Sequence, residues 1–510
     1  MVNKNFVMGL DIGTTSAKAV IFTKSGQVIA DSEIGYSFLP SLEDHAEQDP
    51  LIIEQAAIKV INHSLKTGNI SGDQLTSVGL SSAMHSLICS DKTNQPLSPS
   101  ITWADRRSAL QAEKLKSGGE TRDIYSRSGT PIHSMSPFVK LVWMKETDYD
   151  PYLKASKFLS IKEFLTSRWF GEDAVDFSVA SATGLFDIHT LDWNDHALLT
   201  AGIKRSQLSR PVLPTYIFQG LDPETASKMG VPEDLPFVAG GSDGPMANLG
   251  IGAINPGDTA LTIGTSGAIR QMASCPKTDE NQNIFCYGVS EDLWILGGPT
   301  NNGAIILQWM KEVFGDEELA KADEKNEDPF SLLCKKAAQS PPGAKGLLFM
   351  PYLNGERAPY WDPNVRGSYI GLTMKHKKED LLRAGMEGVI FNLYTIYNVV
   401  EQLVGKTTNL YASGGFARSP LWVQILADIF EKEVHLPVSH QSSAWGAAWF
   451  SMLATGEVND LESIKEFVPM QEIVRPNSSV TSRYQELYAV YRKLYGQLKP
   501  VFDDLKKLEG

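Results

Sequence analysis

Val7-Met8-Gly9-Leu10-Asp11-Ile12-Gly13-Thr14-Thr15-Ser16-Ala17-Lys18-Ala19-Val20-Ile21-Phe22 reads as two buried strands joined by a tight polar turn. A second turn at Lys24-Ser25-Gly26 leads into Val28-Ile29-Ala30, so the chain opens as an antiparallel meander rather than a strand-to-helix unit. The pattern returns in mid-chain, where Ala260-Leu261-Thr262-Ile263-Gly264-Thr265-Ser266-Gly267-Ala268-Ile269-Arg270 again sets a Gly-Thr-Ser turn between apolar runs. Gly13 and Gly264 are separated by close to half of the 510 residues. Helical spacing over Pro50 to Leu65 alternates with short apolar runs such as Val78-Gly79-Leu80, the mark of mixed layers. The expected fold class is therefore α/β with a duplicated mixed-sheet core, divided near Gly250 into domains 1–250 and 251–510. From Val480 to Leu508, Tyr484, Leu487, Tyr488, Tyr491, Leu494 and Leu498 recur at helical spacing and predict a docked helix interrupted before Pro500.

Acidic residues outnumber basic ones by 60 to 47, a net charge of -13 that speaks against binding a nucleic-acid backbone. Cys89, Cys275, Cys286 and Cys334 are scattered without zinc spacing and read as reduced thiols. Phe6 to Leu10 is too short an apolar run for a signal peptide and no stretch reaches membrane-spanning length. The expected setting is cytoplasmic, with neither nucleic acid nor membrane as partner.

A Gly-Thr-Thr-Ser turn between buried strands presents N–H groups and hydroxyls with little bulk, as a polyphosphate requires, although an ordinary hairpin turn has the same composition. Its repetition at Gly264-Thr265-Ser266 favours phosphate binding by two loops. Asp11, at the mouth of the first strand, is a hard carboxylate suited to Mg²⁺. A third glycine turn, Ser413-Gly414-Gly415-Phe416-Ala417-Arg418-Ser419, follows a strand and precedes the helical run Leu421 to Phe430, a place where backbone can approach a flat ligand. Gly405-Lys406-Thr407 resembles the end of a Walker A loop, but Val400 stands where the first glycine belongs and a strand follows.

Asp243, in Gly241-Ser242-Asp243-Gly244, is the candidate general base: phosphoryl transfer needs a carboxylate to orient the acceptor hydroxyl and take its proton. An Asx-turn aspartate is the plain structural alternative. Met84 and His85 end one strand pattern, and Trp103, Asp105, Arg106 and Arg107 follow a proline turn, with His133 a weaker companion. An aromatic face among such polar groups suits a polyhydroxylated ligand.

Together these turns resemble the FGGY family of carbohydrate kinases, within the actin, hexokinase and Hsp70 superfamily with its ribonuclease H-like fold. Two family signatures are recognisable, at Met135 to Glu146 and at Gly367 to Leu372 followed by Asp380 to Glu387; Thr147 and Gly385 depart from them. The resemblance implies ATP as phosphoryl donor with Mg²⁺ at Asp11. It implies Gly13, Thr14, Thr15, Ser16 and Lys18 on the first phosphate loop, Gly264 and Thr265 on the second, and Gly414, Gly415 and Ser419 at the adenosine. Gly303 and Gln308 match the nucleotide-contacting Gly and Gln, with a spacing one residue longer than usual. Asp243 matches the base.

The implied acceptor is a small sugar or sugar acid. Ser81-Ser82-Ala83-Met84-His85-Ser86 and Thr130-Pro131-Ile132-His133 look like the gluconate-specific branch, whose carboxylate Arg106, Arg107, His85 or His133 could meet. Xylulose is the alternative within the family, and an ATPase without a sugar acceptor is the alternative outside it. The resemblance further implies sugar bound to the N-terminal domain and ATP to the C-terminal one, and it allows a homodimer among other assemblies.

Overall fold

The computed structural model describes residues 4–40, 42, 44–119, 121–438 and 441–509. Strands β1 (Phe6–Ile12) and β2 (Ser16–Thr23) pair antiparallel around the first glycine turn, and β3 (Val28–Gly35) continues the meander. β4 (Leu75–Ser82) lies parallel to β1, and β5 (Ile217–Phe218) and β6 (Phe237–Ser242) complete the order β5-β6-β4-β1-β2-β3. β6 runs parallel to β4 and β5 antiparallel to β6.

Both faces of β1 are buried, and its alternation decides what covers each. Met8, Leu10 and Ile12 join a core with Ile53, Ala57, Val60 and Ile61 of the helix Pro50–Gly68. That helix starts where Asp49 accepts from the Leu51 N–H at 2.9 Å with Pro50 in its first turn, and stops at Asn69 in the left-handed region. Val7 and Val20 pack instead with Trp445 and Trp449 of the helix Ser442–Ala454. This second helix touches the sheet backbone to backbone: a Cβ on Gly9 would lie 2.0 Å from the Ala444 carbonyl oxygen, and one on Gly79 1.8 Å from that of Ala447.

The chain divides into two compact units, neither continuous in sequence. The first comprises Met1–Pro256, Met272–Leu296 and Gln441–Pro469, the second Gly257–Gln271, Gly297–His440 and Met470–Gly510. In the second, β7 (Asp258–Ile263) pairs antiparallel with β8 (Gly267–Ala273) around the Gly264 turn and parallel with β9 (Asn409–Ser413). β10 (Val434–Pro437) is parallel to β9, and β11 (Met470–Val474) is antiparallel to β10. The two sheets thus repeat one plan: a hairpin with a glycine turn, a third and a fourth strand parallel to its first, and an antiparallel edge strand.

The C-terminal helix differs from its expected form. It runs unbroken over Ser478–Glu509 with Pro500 inside. Burial of Phe502 beyond the proline, and Lys499 bonding both Asp362 at 3.2 Å and Asp503 at 3.1 Å, hold the segment in line against the lost hydrogen bond. All four cysteines are free, and among the described residues no helix is long and apolar enough to cross a membrane.

Gly79→Ala should lower stability by about 1–3 kcal/mol, the usual cost of overpacking. Chemical denaturation of the wild type and the variant measures it; equal midpoints would mean that the helix can retreat from β4 without loss.

Candidate active site

The parallel strands β1, β4 and β6 end at one edge, with Ile12 in register with Ser82 and Ser82 with Ser242. Asp11 lies on β1 beside Ser81, whose hydroxyl donates to Asp11 Oδ1 at 2.7 Å. Asp243 is the first residue of the helix Asp243–Gly250, directly after β6, and its Oδ1 accepts from the Gly244 N–H at 2.7 Å. Burial pushes the Asp11 carboxyl up to about 6, the Ser81 hydrogen bond opposes this, and the charge of Asp243 adds to it. Two acidic groups that feel each other at the open end of a sheet would be stabilised by a cation or by proton exchange.

The first glycine turn is braced on its carbonyl side. The Gly13 N–H bonds the Ser16 carbonyl at 2.9 Å, Tyr36 Oη donates to the Gly13 carbonyl at 2.5 Å, and Gln48 Nε2 donates to the Thr14 carbonyl at 2.6 Å. Trp103 Nε1 donates to Thr14 Oγ1 at 3.0 Å, so the aromatic candidate and the turn form one cluster. Thr15 is exposed. Ser16 Oγ donates to Glu33 Oε1 at 2.6 Å, and Lys18, opposite Asp11 in register, lies 3.8 Å from both Asp31 and Glu33. Tyr36 and Gln48 escaped the sequence reading because each is an ordinary residue until the fold delivers it to the turn.

Among the sugar-site candidates, His85 is buried with φ 66, its Nδ1 donating to the Ala182 carbonyl at 2.6 Å while Nε2 accepts from Tyr287 Oη at 3.4 Å. Met84 packs beside it against the aromatic core. His133 Nδ1 accepts from the Met135 N–H at 3.1 Å. Lys140, wholly buried, donates to the carbonyls of both His85 and Met135 and so ties the two histidine segments together. Asp105 accepts from the Ala46 N–H at 2.8 Å and from Arg107 Nε at 2.9 Å. Arg107 also bonds Glu47 at 2.6 Å and covers the Trp143 ring, so this one of the four cations considered for a carboxylate is already held by two acids and an aromatic face. Arg106 is exposed and sits 3.2 Å from Asp44.

In the second unit the Gly264 turn repeats the first, its N–H bonding the Ser266 carbonyl at 2.9 Å. Where Asp11 meets Ser81 in the first copy, Thr262 meets Ser413 here, hydroxyl to hydroxyl at 3.2 Å. Gly303 packs on the turn so closely that a Cβ would stand 2.6 Å from the Gly264 carbonyl oxygen. Its segment is held by Glu356, buried and accepting from Thr300 Oγ1 at 2.6 Å, the Asn301 N–H at 2.9 Å and Asn392 Nδ2 at 2.8 Å. Beside the turn lies a cavity of about 780 Å³ lined by Thr265, Gln308, Phe330, Cys334, Gly415 and Ser419. Gly414, at φ 102, carries the chain past the Ile263 carbonyl, and Ser419 caps the helix Pro420–Phe430 through the Trp422 N–H at 3.3 Å. Gln308 is turned along its own helix to Glu312, 2.5 Å away. The cavity has room for a nucleoside, with a phosphate-sized turn at one side.

Residues 6–250 match the N-terminal domain of the FGGY family of carbohydrate kinases, and residues 259–455 match its C-terminal domain. The chain is 43% identical over 491 residues to the gluconokinase of Bacillus subtilis, covering 96% of this chain and 95% of that protein. Two solved structures from Lactobacillus acidophilus, one described as a gluconate kinase and one as a ligand-bound xylulose kinase, each superpose with a TM-score of 0.93 at 33% identity, over 98% of this chain and 99% of theirs. With both halves of its length matched and the two-sheet architecture shared, the chain belongs to the FGGY family of carbohydrate kinases.

Proposed function

We propose that this chain is a gluconokinase, transferring the γ-phosphoryl group of ATP to the 6-hydroxyl of D-gluconate to give 6-phospho-D-gluconate and ADP. The observation that carries the choice of acceptor is the 43% identity to a gluconokinase along nearly the whole chain, above the 33% to the structures described as a gluconate kinase and a xylulose kinase. Xylulose remains the second reading because one of those two neighbours bears that name. The acceptor and general base belong to domain 1–250, and the second phosphate turn and adenosine to domain 251–510. The proposed setting is the cytoplasm, and a homodimer is one assembly the family resemblance allows.

In this reading Asp243 accepts a hydrogen bond from the 6-hydroxyl and takes its proton as the O–P bond forms, while the β-phosphate oxygen leaves with ADP. N–H groups and hydroxyls of the turns at Gly13-Thr14-Thr15 and Gly264-Thr265 meet phosphate oxygens, with Lys18 as the nearby cation. The adenosine occupies the cavity between Gln308, Phe330 and Gly415.

Asp11 suits Mg²⁺. Its carboxyl is disfavoured as an anion first by burial and then by the charge of Asp243, and a nearby cation would relieve both. An ion that keeps its waters and leans on one carboxylate and the substrate phosphates matches that donor set. Bound there, Mg²⁺ would neutralise developing charge on the phosphate oxygens.

ADP release with Mg-ATP should depend on D-gluconate and exceed that with D-xylulose, glycerol or no acceptor; equal turnover without acceptor would overturn the kinase reading. Asp243→Asn should cut turnover by about 10²–10⁴, the range for general-base catalysis, with nucleotide affinity nearly unchanged. Near-normal turnover would remove Asp243 from the role. The buried amine that ties the histidine segments adds a pH dependence: burial pushes Lys140 down to about 7, with Asp105 opposing and Arg107 adding to the shift. Above about pH 7 and below the usual lysine range near 10.4, the unfolded chain holds a proton that the folded chain lacks, so stability should rise with pH there. Lys140→Met should flatten that rise in urea midpoints; parallel curves would mean that Lys140 stays charged in the folded chain.

A further inference from the structure

The strand that delivers Asp243 is irregular. Its pairing with β4 shifts register between Val238 and Gly241, and Gly240 adopts φ 57 at a point where a Cβ would stand 2.0 Å from the Leu80 carbonyl oxygen. A bulge of this kind re-aims the side chains that follow it and leaves backbone groups without ladder partners.

Those groups are taken up by three buried polar side chains outside the machinery described so far. Lys162 Nζ donates to the Ala239 carbonyl at 2.9 Å and to the Gly241 carbonyl at 3.0 Å. It pairs with Asp176 at 2.5 Å, the two side chains being 4% and 1% exposed. Asp176 Oδ1 accepts from Ser178 Oγ at 2.6 Å, and Ser178 Oγ in turn accepts from the Ser242 N–H at 2.7 Å. Asp176 also caps its own helix, Phe177–Ala182, through the Val179 N–H at 3.1 Å; the side-chain hydrogen bonds of Lys162 and Ser178 beyond the relay fall on residues 239–242, the four that precede Asp243. A Cβ on Gly241 would reach within 3.0 Å of the Ser178 hydroxyl, so glycine there lets the hydroxyl come up against the strand.

We propose that Ser178, backed by Asp176 and Lys162, is a positioning residue for phosphoryl transfer, holding the last N–H before Asp243 so that its carboxylate meets the acceptor hydroxyl at hydrogen-bonding distance. Burying an ion pair that apolar residues could replace is a poor route to stability alone, whereas a relay with one Oγ and one ammonium on a bulge specifies a backbone path. An error of about 1 Å in such a path can cost on the order of 10²-fold in rate. Because the role acts through Asp243, it rests on the reading of that residue as the base.

Ser178→Ala, Ser178→Thr and Asp243→Asn are compared for kcat, for KM of gluconate and ATP, and for thermal midpoint. Ser178→Ala should lower kcat by about 10- to 100-fold, leave both KM values within about twofold, and keep a near wild-type midpoint; Ser178→Thr, which retains the hydroxyl, should recover most of the rate. Full kcat in Ser178→Ala beside an inactive Asp243→Asn overturns the positioning role and leaves the base assignment standing. A loss of rate that comes with raised KM values and a lowered midpoint, and that threonine does not restore, assigns Ser178 to core stability and equally overturns it. Activity in both Ser178→Ala and Asp243→Asn removes the base reading and this proposal with it.

Discussion

The parallel register of β1, β4 and β6 is the constraint from which the rest of the first unit follows. Because the three strands end together, Asp11 on β1, Ser81 on the middle strand and Asp243 directly after β6 gather at one edge, with Ser81 bonded to Asp11. Hydrogen bonding along the parallel strands carries this alignment, and where it is interrupted by the bulge at Gly240 the side chains of Lys162 and Ser178 hold the end of β6. What the side chains decide is the electrostatic cost: Asp11 is held in a place where burial and a second acid resist its ionisation. A scaffold that tolerates such a cost at one edge is typical of a site whose ligand brings the compensating charge.

The two sheets share strand order and turn chemistry yet differ at one equivalent position. The residue two before the turn glycine is Asp11 in the first copy and Thr262 in the second, and each faces a serine from the neighbouring parallel strand. Substituting a hydroxyl for a carboxylate there keeps the hydrogen bond and removes the charge. The copies are thus alike in geometry and unlike in electrostatics. Two acidic groups stand at the sheet edge of the first unit, whereas the turn of the second has hydroxyls alone at that position and lies beside the cavity.

The elements legible in the sequence are those whose chemistry is local. The Gly-Thr-Thr-Ser and Gly-Thr-Ser turns, the paired strands around them and the glycine-flanked Asp243 announce themselves within a few residues. What stayed hidden depends on partners distant in sequence. Asp105, read from the sequence as a ligand-facing acid, also clamps Arg107 and the Ala46 N–H, partners no local pattern discloses. Ser178 and Lys162 carry no motif and acquire meaning only beside the bulge at Gly240. Phe330 and Cys334 line the large cavity from a helix that shows nothing but amphipathic spacing. Pro500 misled for a related reason, since a proline's penalty is local while the burial of Phe502 that outweighs it is tertiary.

The helix Ser442–Ala454 has a consequence for how the protein is made. It lies flush on β1 and β4 through Gly9 and Gly79 and shields Val7 and Val20, but it is synthesised long after them. When residue 256 leaves the ribosome, the face of the first sheet around Val7 and Val20 still lacks Trp445 and Trp449. The missing helix is roughly 200 residues away, about 10–40 s of translation at 5–20 residues per second. During that interval the apolar residues of β1 and β2 on this face wait for the helix that packs on them, and burial of the first unit is completed only when the last third of the chain has been made.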